Sequence, residues 1–191
     1  MSKLLSKVTF ASIAISILIG GTIYLSSASR GNSSSSNGNL AIASDNNQAT
    51  EVSVWDKETV SNYSGTTEMT VYRSPSCGCC GSWIQHAQKH GFNIKDVKTE
   101  EMEAIKQKYN IPAELASCHT TIIDGYVMEG HIPVDDIKRF VMEKPELAGL
   151  TVPGMPIGTP GMEAKNIKQP FQVLAFGEGG EVEVFQEYQS Y

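Results

Sequence analysis

Two β-rich runs, CHTTII at 118–123 and YVMEGH at 126–131, flank Asp124-Gly125, the dipeptide that most strongly signals a two-residue β-hairpin. A two-residue turn fixes the register, because paired residue numbers must then add to 249. Cys118 therefore faces His131 across the hairpin, with Cα atoms about 4.5 to 5.5 Å apart. Because side chains alternate along a strand, His119 is expected on the opposite face. A thiol and an imidazole brought together in this way ask for a third partner.

That partner is offered by RSPSCGCCGSW, residues 73–83, where Cys77, Cys79 and Cys80 occupy three of four positions. Met69 to Tyr72 reads as a strand before the Ser-Pro-Ser turn, and SWIQHAQKHG as a helix after the cluster. Cys77 and Cys80 are thus a C-x-x-C pair at a strand-to-helix junction, where free N–H groups and positive potential favour thiolate over thiol. Thiol–disulfide exchange needs two sulfurs, and a third would invite scrambling, whereas a soft metal takes the extra thiolate as a ligand. Two readings follow: a Cys77–Cys80 disulfide, as an oxidising compartment favours, or a metal nest.

The surrounding pattern sets the fold expectation. Trp83, Ile84 and Ala87 share one helical face, and Gly91 can end the helix. Phe92 to Val97 reads as a second strand, and TEEMEAIKQKYN as a second helix, with Thr99 as N-cap and Met102, Ile105 and Tyr109 as its buried stripe. After the hairpin, Pro133 opens a third helix through Lys144, with Val134, Ile137, Phe140 and Val141 inward. Residues 145–170 carry five prolines and read as one long structureless loop, a kind of segment that inside a domain is usually functional or disordered. FQVLAF at 171–176 and EVEVFQEY at 181–188 form a closing hairpin. The order β-α-β-α-β-β-α matches an α/β, thioredoxin-like, three-layer domain with a C-terminal Pro/Gly/Met loop and β-hairpin extension.

Residues 1–28 read as a signal peptide or signal anchor. Lys3 and Lys7 precede the uncharged run VTFASIAISILIGGTIYL at 8–25. Its length lies between the roughly 7 to 15 apolar residues of a cleaved signal and the about 20 of a membrane span. Basic residues before the run place the N-terminus inside and the rest outside the cytoplasm, in the periplasm or another extracytoplasmic space. The chain is then either freed by cleavage near Ser26-Ser27-Ala28 or held at the inner membrane by an N-terminal anchor. Residues 29–66 are a Ser/Asn/Gly-rich linker and an unassigned segment, and 67–191 are the domain. Without the first 30 residues, 12 Lys and Arg face 21 Asp and Glu, a formal charge of −9. This argues against nucleic acid as a partner.

Met155 and Met162 each follow a Pro-Gly pair in a stretch with few other large apolar groups. They read equally as sulfur ligands on stiff backbone or as filler at the core's edge. Thiolates, imidazoles and thioethers together suit Cu(I); zinc seldom takes methionine, and calcium or magnesium would want carboxylates. His86 and His90, spaced i, i+4 opposite Trp83 and Ile84, have metal-binding spacing but read as a solvated helix face. No Ser/His/Asp set, phosphate-cradling loop or paired-carboxylate arrangement stands out.

CGCC with a following Trp, then SCHT, EGHIP and PGMPIGTPGME, in that order, resemble the CopG-type periplasmic metal-binding proteins, long catalogued as a domain of unknown function. The resemblance covers about residues 67 to 188, with Thr159 where the family more often shows Ser. It implies a thioredoxin-like fold, export, association with copper resistance, and a cysteine cluster that binds copper with a redox role toward it. Carried onto this chain, the implied ligands are Cys77, Cys79, Cys80 and Cys118, with His131 and Met155 beside them and His119 and Met162 further out. Sulfurs so close can bridge several Cu(I) ions in a polynuclear cluster. The expected partners are metal ions and other exported copper carriers. The competing function is a thiol–disulfide or copper-redox oxidoreductase using Cys77 and Cys80.

Overall fold

A computed structural model describes residues 53–57 and 59–191. The apolar run at 8–25 and most of the linker lie outside them. Among the described residues no helix is long and apolar enough to cross a membrane.

The fold is mixed α/β. Strand β1 (Glu68–Arg73) leads through the cysteine cluster into α1 (Gly78–Lys89), followed by β2 (Asn93–Lys98) and α2 (Met102–Lys108). The hairpin β3 (His119–Ile123) and β4 (Tyr126–Glu129) precedes α3 (Val134–Glu143), and β5 (Gly149–Thr151), β6 (Phe171–Phe176) and β7 (Val182–Tyr188) complete the chain. The seven strands form one sheet in the order β2-β1-β3-β4-β5-β6-β7. β1 and β2 run parallel, whereas β3 is antiparallel to both β1 and β4.

The hairpin takes the register expected from its turn, pairing Thr120 with Glu129 and Ile123 with Tyr126. Asp124 and Gly125 have φ of 50° and 87°, both in the left-handed region that a two-residue turn of this twist requires.

Alternation along the strands feeds two cores. Ile123, Met128, Leu150, Val173 and Ala175 pack with Trp83 and Ile84 of α1 and with Ile137 and Phe140 of α3. Val127 and Phe176 pack instead with Ile111 and Leu115, which follow α2. Neighbours such as Val127 and Met128 fall into different clusters because successive side chains leave opposite faces of the sheet.

Three elements differ from the sequence reading. The stretch 145–170 is not structureless: Gly149–Thr151 pairs parallel with β4 and antiparallel with β6, joining the terminal hairpin to the main sheet. Three residues containing a Gly carry too little periodicity to announce a strand, and the pairing is set by tertiary context. Helix α2 buries none of its residues fully, so its stripe is only half covered, and its N-cap position is Glu101. Thr99 still contributes, since its Oγ1 accepts from the Glu101 amide at 3.1 Å. The unassigned segment before β1 brings Trp55 into the larger core. The Trp55 Nε1–H donates to the Gly158 carbonyl at 2.8 Å, and its ring lies 4.9 Å from that of Tyr191 and 5.3 Å from that of Tyr188. Burying so large a ring with its N–H satisfied is worth about 2 to 3 kcal/mol.

Candidate metal centre

The centre is built where the C-terminal end of β1, the first turn of α1 and the start of β3 meet. Cys77 is the N-cap of α1 and its side chain makes no capping bond. Gly78, Cys79 and Cys80 are the first helical residues, and no acidic residue stands in that turn. The positive end of a 12-residue helix therefore acts on the sulfurs without a carboxylate to offset it. Arg73, at the end of β1, is held by a bidentate pair with Asp96 at 2.9 and 2.8 Å and donates to the Cys77 carbonyl at 3.3 Å. Trp83 anchors the helix from below: it is fully buried and its Nε1–H donates to the Ile132 carbonyl at 2.9 Å.

Cys77 and Cys80 are joined by a disulfide with Cα atoms 5.4 Å apart, while Cys79 and Cys118 are free thiols. The Cys79 sulfur lies 3.6 Å from that of Cys77. All four cysteine sulfurs fall within 4.8 Å of one another. A second set of the same tightness comprises Cys80, Cys118, His119 and His131. Cys80 and Cys118 are common to both, so six side chains share one continuous donor cluster.

The Cys118–His131 neighbourhood expected from the register is present: His131 Nε2 is 3.1 Å from the Cys118 sulfur. Both residues lie just beyond the ladder, which closes with the Gly130 amide donating to the His119 carbonyl at 2.9 Å. On its other side His131 Nδ1 meets the Pro160 carbonyl at 2.7 Å. A carbonyl only accepts, so Nδ1 carries the proton and the neutral ring turns its Nε2 lone pair toward Cys118. Burial lowers the pKa of His131 and pushes the Cys118 thiol up to about 12, helped by the nearby Cys79. The resting pair is consequently a neutral thiol donating to a neutral imidazole. A metal ion entering here would replace that proton.

His119 corrects the sequence reading. It was expected on the opposite face, but it belongs to the α1 side of β3, its ring 4.7 Å from Trp83 and 5.0 Å from His131. Its Nδ1 is 3.7 Å from the Cys118 sulfur. Strand alternation does separate His119 from Thr120, but Cys118 precedes the strand, so its direction does not follow the alternation. His119 is fully buried, its pKa is lowered by desolvation, and its Nε2 has no protein partner. A fully buried, neutral imidazole with one nitrogen near the Cys118 sulfur and the other without a partner has the free donor capacity that a metal ligand needs.

The Pro/Gly/Met loop is tied to the same place by its backbone. Gly154 bridges to Ser117, and its amide donates to the Ala116 carbonyl at 3.1 Å. Met155, which follows, is 56% exposed. Gly161 lies against the first turns of α1; a Cβ there would stand 2.5 Å from the Trp83 amide nitrogen and 3.0 Å from the Cys79 carbonyl oxygen. Its φ of 78° also suits Gly alone. Met162, half-buried, is next in the chain. The two tight donor sets consist of Cys and His; the glycine before each methionine contacts the backbone next to the cluster, at Ala116–Ser117 and at the first turns of α1.

Two residues of the surroundings escaped the sequence reading. Glu129 is fully buried and accepts from the Ser117 amide at 2.7 Å, from Thr120 Oγ1 at 2.6 Å and from Lys106 Nζ. It thereby fixes the segment entering Cys118 from the α2 side of the sheet. A lone Glu on a strand carries no signal of that role. His86 is the second: read as part of a solvated face, it is only 7% exposed, and burial pulls its pKa down to about 3. Residues 53–57 and 59–60 cover that face, and the weak periodicity of the segment concealed the contact.

No curated protein matches the chain. A family model described as a protein of unknown function, DUF411, matches residues 115–162, which hold Cys118, His119, His131 and both Pro-Gly-Met repeats. Two solved structures of copper resistance protein copG are similar throughout the domain. Form 2 is 40% identical with a TM-score of 0.61, covering 63% of this chain and 97% of that one. Form 1 is 39% identical with a TM-score of 0.62, covering 64% and 98%. At that identity and over nearly the whole length of those structures, the chain belongs to the CopG family of copper resistance proteins.

Proposed function

We propose that the protein binds Cu(I) outside the cytoplasm, through Cys77, Cys79, Cys80 and Cys118 with His131 and His119, and that it serves copper handling or resistance. The observation that carries the reading is the continuity of the donor cluster: Cys80 and Cys118 belong to two sets whose atoms all lie within 4.8 Å. Four soft sulfurs with two imidazoles fit Cu(I), and so many donors in one place suit several bridged ions rather than one. Met155 and Met162 close over the cluster as soft outer ligands. Zinc is the weaker candidate, because a closed tetrahedral site would use four of these donors and leave the others idle. The strand and helix order, with β2-β1-β3-β4 forming one side of the sheet, supports a thioredoxin-like core. The apolar run at 8–25 supports export, with other exported copper carriers as donors and acceptors and no nucleic acid.

The Cys77–Cys80 disulfide favours a second reading as a thiol–disulfide or copper-redox oxidoreductase. Opening it consumes two electrons and two protons, supplied by a dithiol reductant, and returns two sulfurs to the cluster. Copper loading therefore requires the reduced form.

Anaerobic titration of the reduced protein with Cu(I) against a competing chelator tests the first reading. Tight uptake of more than one ion, lost in the Cys77→Ser/Cys80→Ser variant and in the disulfide form, is the expected result. Weak uptake indifferent to either change rejects it. Metal-free turnover of a protein disulfide would move the assignment to the second reading.

A further inference from the structure

At the opposite end of α1 from the cysteines, the N-terminal segment, α1, α3 and β7 line a half-open cavity of about 360 Å³. Its walls include His86 and His90 from α1, Asp135 from α3, and Thr59 from the N-terminal segment. The rings of His86 and His90 are 4.5 Å apart. Four polar atoms of its lining residues are buried without a protein partner: His86 Nε2, His90 Nδ1, Asp135 Oδ1 and Arg139 Nε, of which the first three can donate a lone pair and the last, on a residue already paired with Asp136, cannot.

The second atoms of two of these groups are firmly engaged. His90 Nε2 lies 2.8 Å from the Trp55 carbonyl. Since that carbonyl can only accept, Nε2 carries the hydrogen, and Nδ1 is the nitrogen left to offer a lone pair. Asp135 Oδ2 accepts from the Thr59 amide at 2.7 Å and from Thr59 Oγ1, which leaves Oδ1 as the free oxygen. A fixed partner behind a ligand, as His90 and Asp135 have here, decides which atom faces inward and is the support that metal ligands characteristically receive. Leaving three such atoms unmatched in a folded interior costs roughly 1 to 3 kcal/mol each, so their co-location asks for an occupant.

We propose that His86, His90 and Asp135 form a second metal site, selective for a divalent transition ion of borderline character, Zn(II) or Cu(II). Two imidazoles spaced i, i+4 on one helix and a facing carboxylate are nitrogen and oxygen donors, which suit these ions and not Cu(I). The three are less tightly drawn together than the cysteine sets, which are the sets spanning no more than 4.8 Å among the described residues. Binding therefore requires the side chains to close on the ion, and the cavity has room for the ion's remaining water ligands. Cys80 and His86 are separated by roughly 9 Å of helical rise, so the two centres are distinct. The segment carrying Trp55 and Thr59 forms one wall, and an ion at this site would fasten that segment to α1 and α3.

The test is a Zn(II) titration of the full chain followed through the imidazole nitrogen resonances of ¹⁵N-labelled histidine. Because the readout is nitrogen by nitrogen, zinc taken up by cysteines does not enter it, and failure of the Cu(I) reading would leave it intact. The expected result is a large coordination shift at His86 Nε2 and His90 Nδ1, saturating together. His90→Gln and Asp135→Asn should each weaken that binding by tenfold or more, while leaving Cu(I) uptake unchanged. His90 is less buried than His86, so its variant is expected to fold even where a change at His86 does not. Unshifted His86 and His90 nitrogens at saturating zinc, or shifts unaltered by Asp135→Asn and by His90→Gln at His86, overturn the proposal. Cu(II) in place of zinc, read by nitrogen hyperfine coupling, assigns the preferred ion.

Discussion

Glu129 shows how one residue that is not itself a candidate ligand sets the geometry of the centre. Its two carboxylate oxygens take the Ser117 amide, the Thr120 hydroxyl and the Lys106 ammonium in a place with no solvent access. Replacing it with Gln keeps the shape but removes the charge that Lys106 faces and makes one of the three bonds geometrically wrong. Breaking a buried pair by removing one partner costs about 3 to 5 kcal/mol. Glu129→Gln is expected to lose about 3 kcal/mol in denaturant unfolding, and the loosened Ser117–Cys118 segment should weaken Cu(I) binding about tenfold in chelator competition. Unchanged copper affinity in a destabilised variant would confine Glu129 to a structural role. His131 stands at the same scale with its direction fixed from the other side, by the Pro160 carbonyl. Its pairing with Cys118 was legible because a two-residue turn leaves no freedom in register, whereas the role of Pro160 was not, since nothing local relates residue 160 to residue 131.

Among the elements, the loop from β5 to β6 carries the least regular structure and does the most to enclose the centre. It supplies the carbonyl that orients His131, and at Gly161 it presses on the amides and carbonyls of α1's first turns. Gly161→Ala must push the loop outward, because the new methyl would stand 2.5 Å from the Trp83 nitrogen and the φ of 78° is strained for any side chain. Such a change costs about 1 to 3 kcal/mol. Although no donor atom is altered, the variant is expected to show a lower Tm and a faster loss of Cu(I) to a chelator. A Tm shift with unaltered copper kinetics would mean that the loop caps nothing. The central strands and helices were legible from the sequence because each carries a 2- or 3.6-residue period long enough to read, from Met69 to Val141. β5 and the 3-10 turn at Val54–Asp56 are three residues each, too short for any period, and both are ordered by what they pack against. The same limit hid the covering of His86 and His90, whose spacing was visible while the wall across from them was not.

At the scale of the whole molecule, buried histidines decide how metal-free stability depends on pH. His86, His119 and His131 all have pKa values lowered by burial, His86 to about 3. The unfolded chain protonates each near 6.5, so between that value and the folded pKa the unfolded state binds more protons. Stability is then fully present above about 6.5 and is lost progressively as pH falls toward 3. Asp136 acts in the opposite sense: burial raises its pKa to about 6, so the folded state holds the extra proton between about 4 and 6, and stability from this group falls as pH rises through that window. One carboxyl taken from 3.8 to about 6 opposes three imidazoles, one of them taken from 6.5 to about 3, and the histidines win. Denaturant midpoints of the metal-free, full-length protein are expected to drop steadily from about pH 6.5 to about pH 4.5. Each tenfold loss of proton affinity on folding corresponds to about 1.4 kcal/mol, so His86 alone can account for on the order of 4 kcal/mol at the acid extreme. His86→Gln should flatten that limb while lowering stability at neutral pH by less than it saves in acid, and Asp136→Asn should steepen it. A wild-type profile level across that range, or one unaffected by His86→Gln, would show that water reaches these rings and that the burial described for them does not hold in solution. A steep profile that Zn(II) levels at about pH 6 but not at about pH 4 would in turn tie the lost stability to imidazoles that a metal can hold deprotonated.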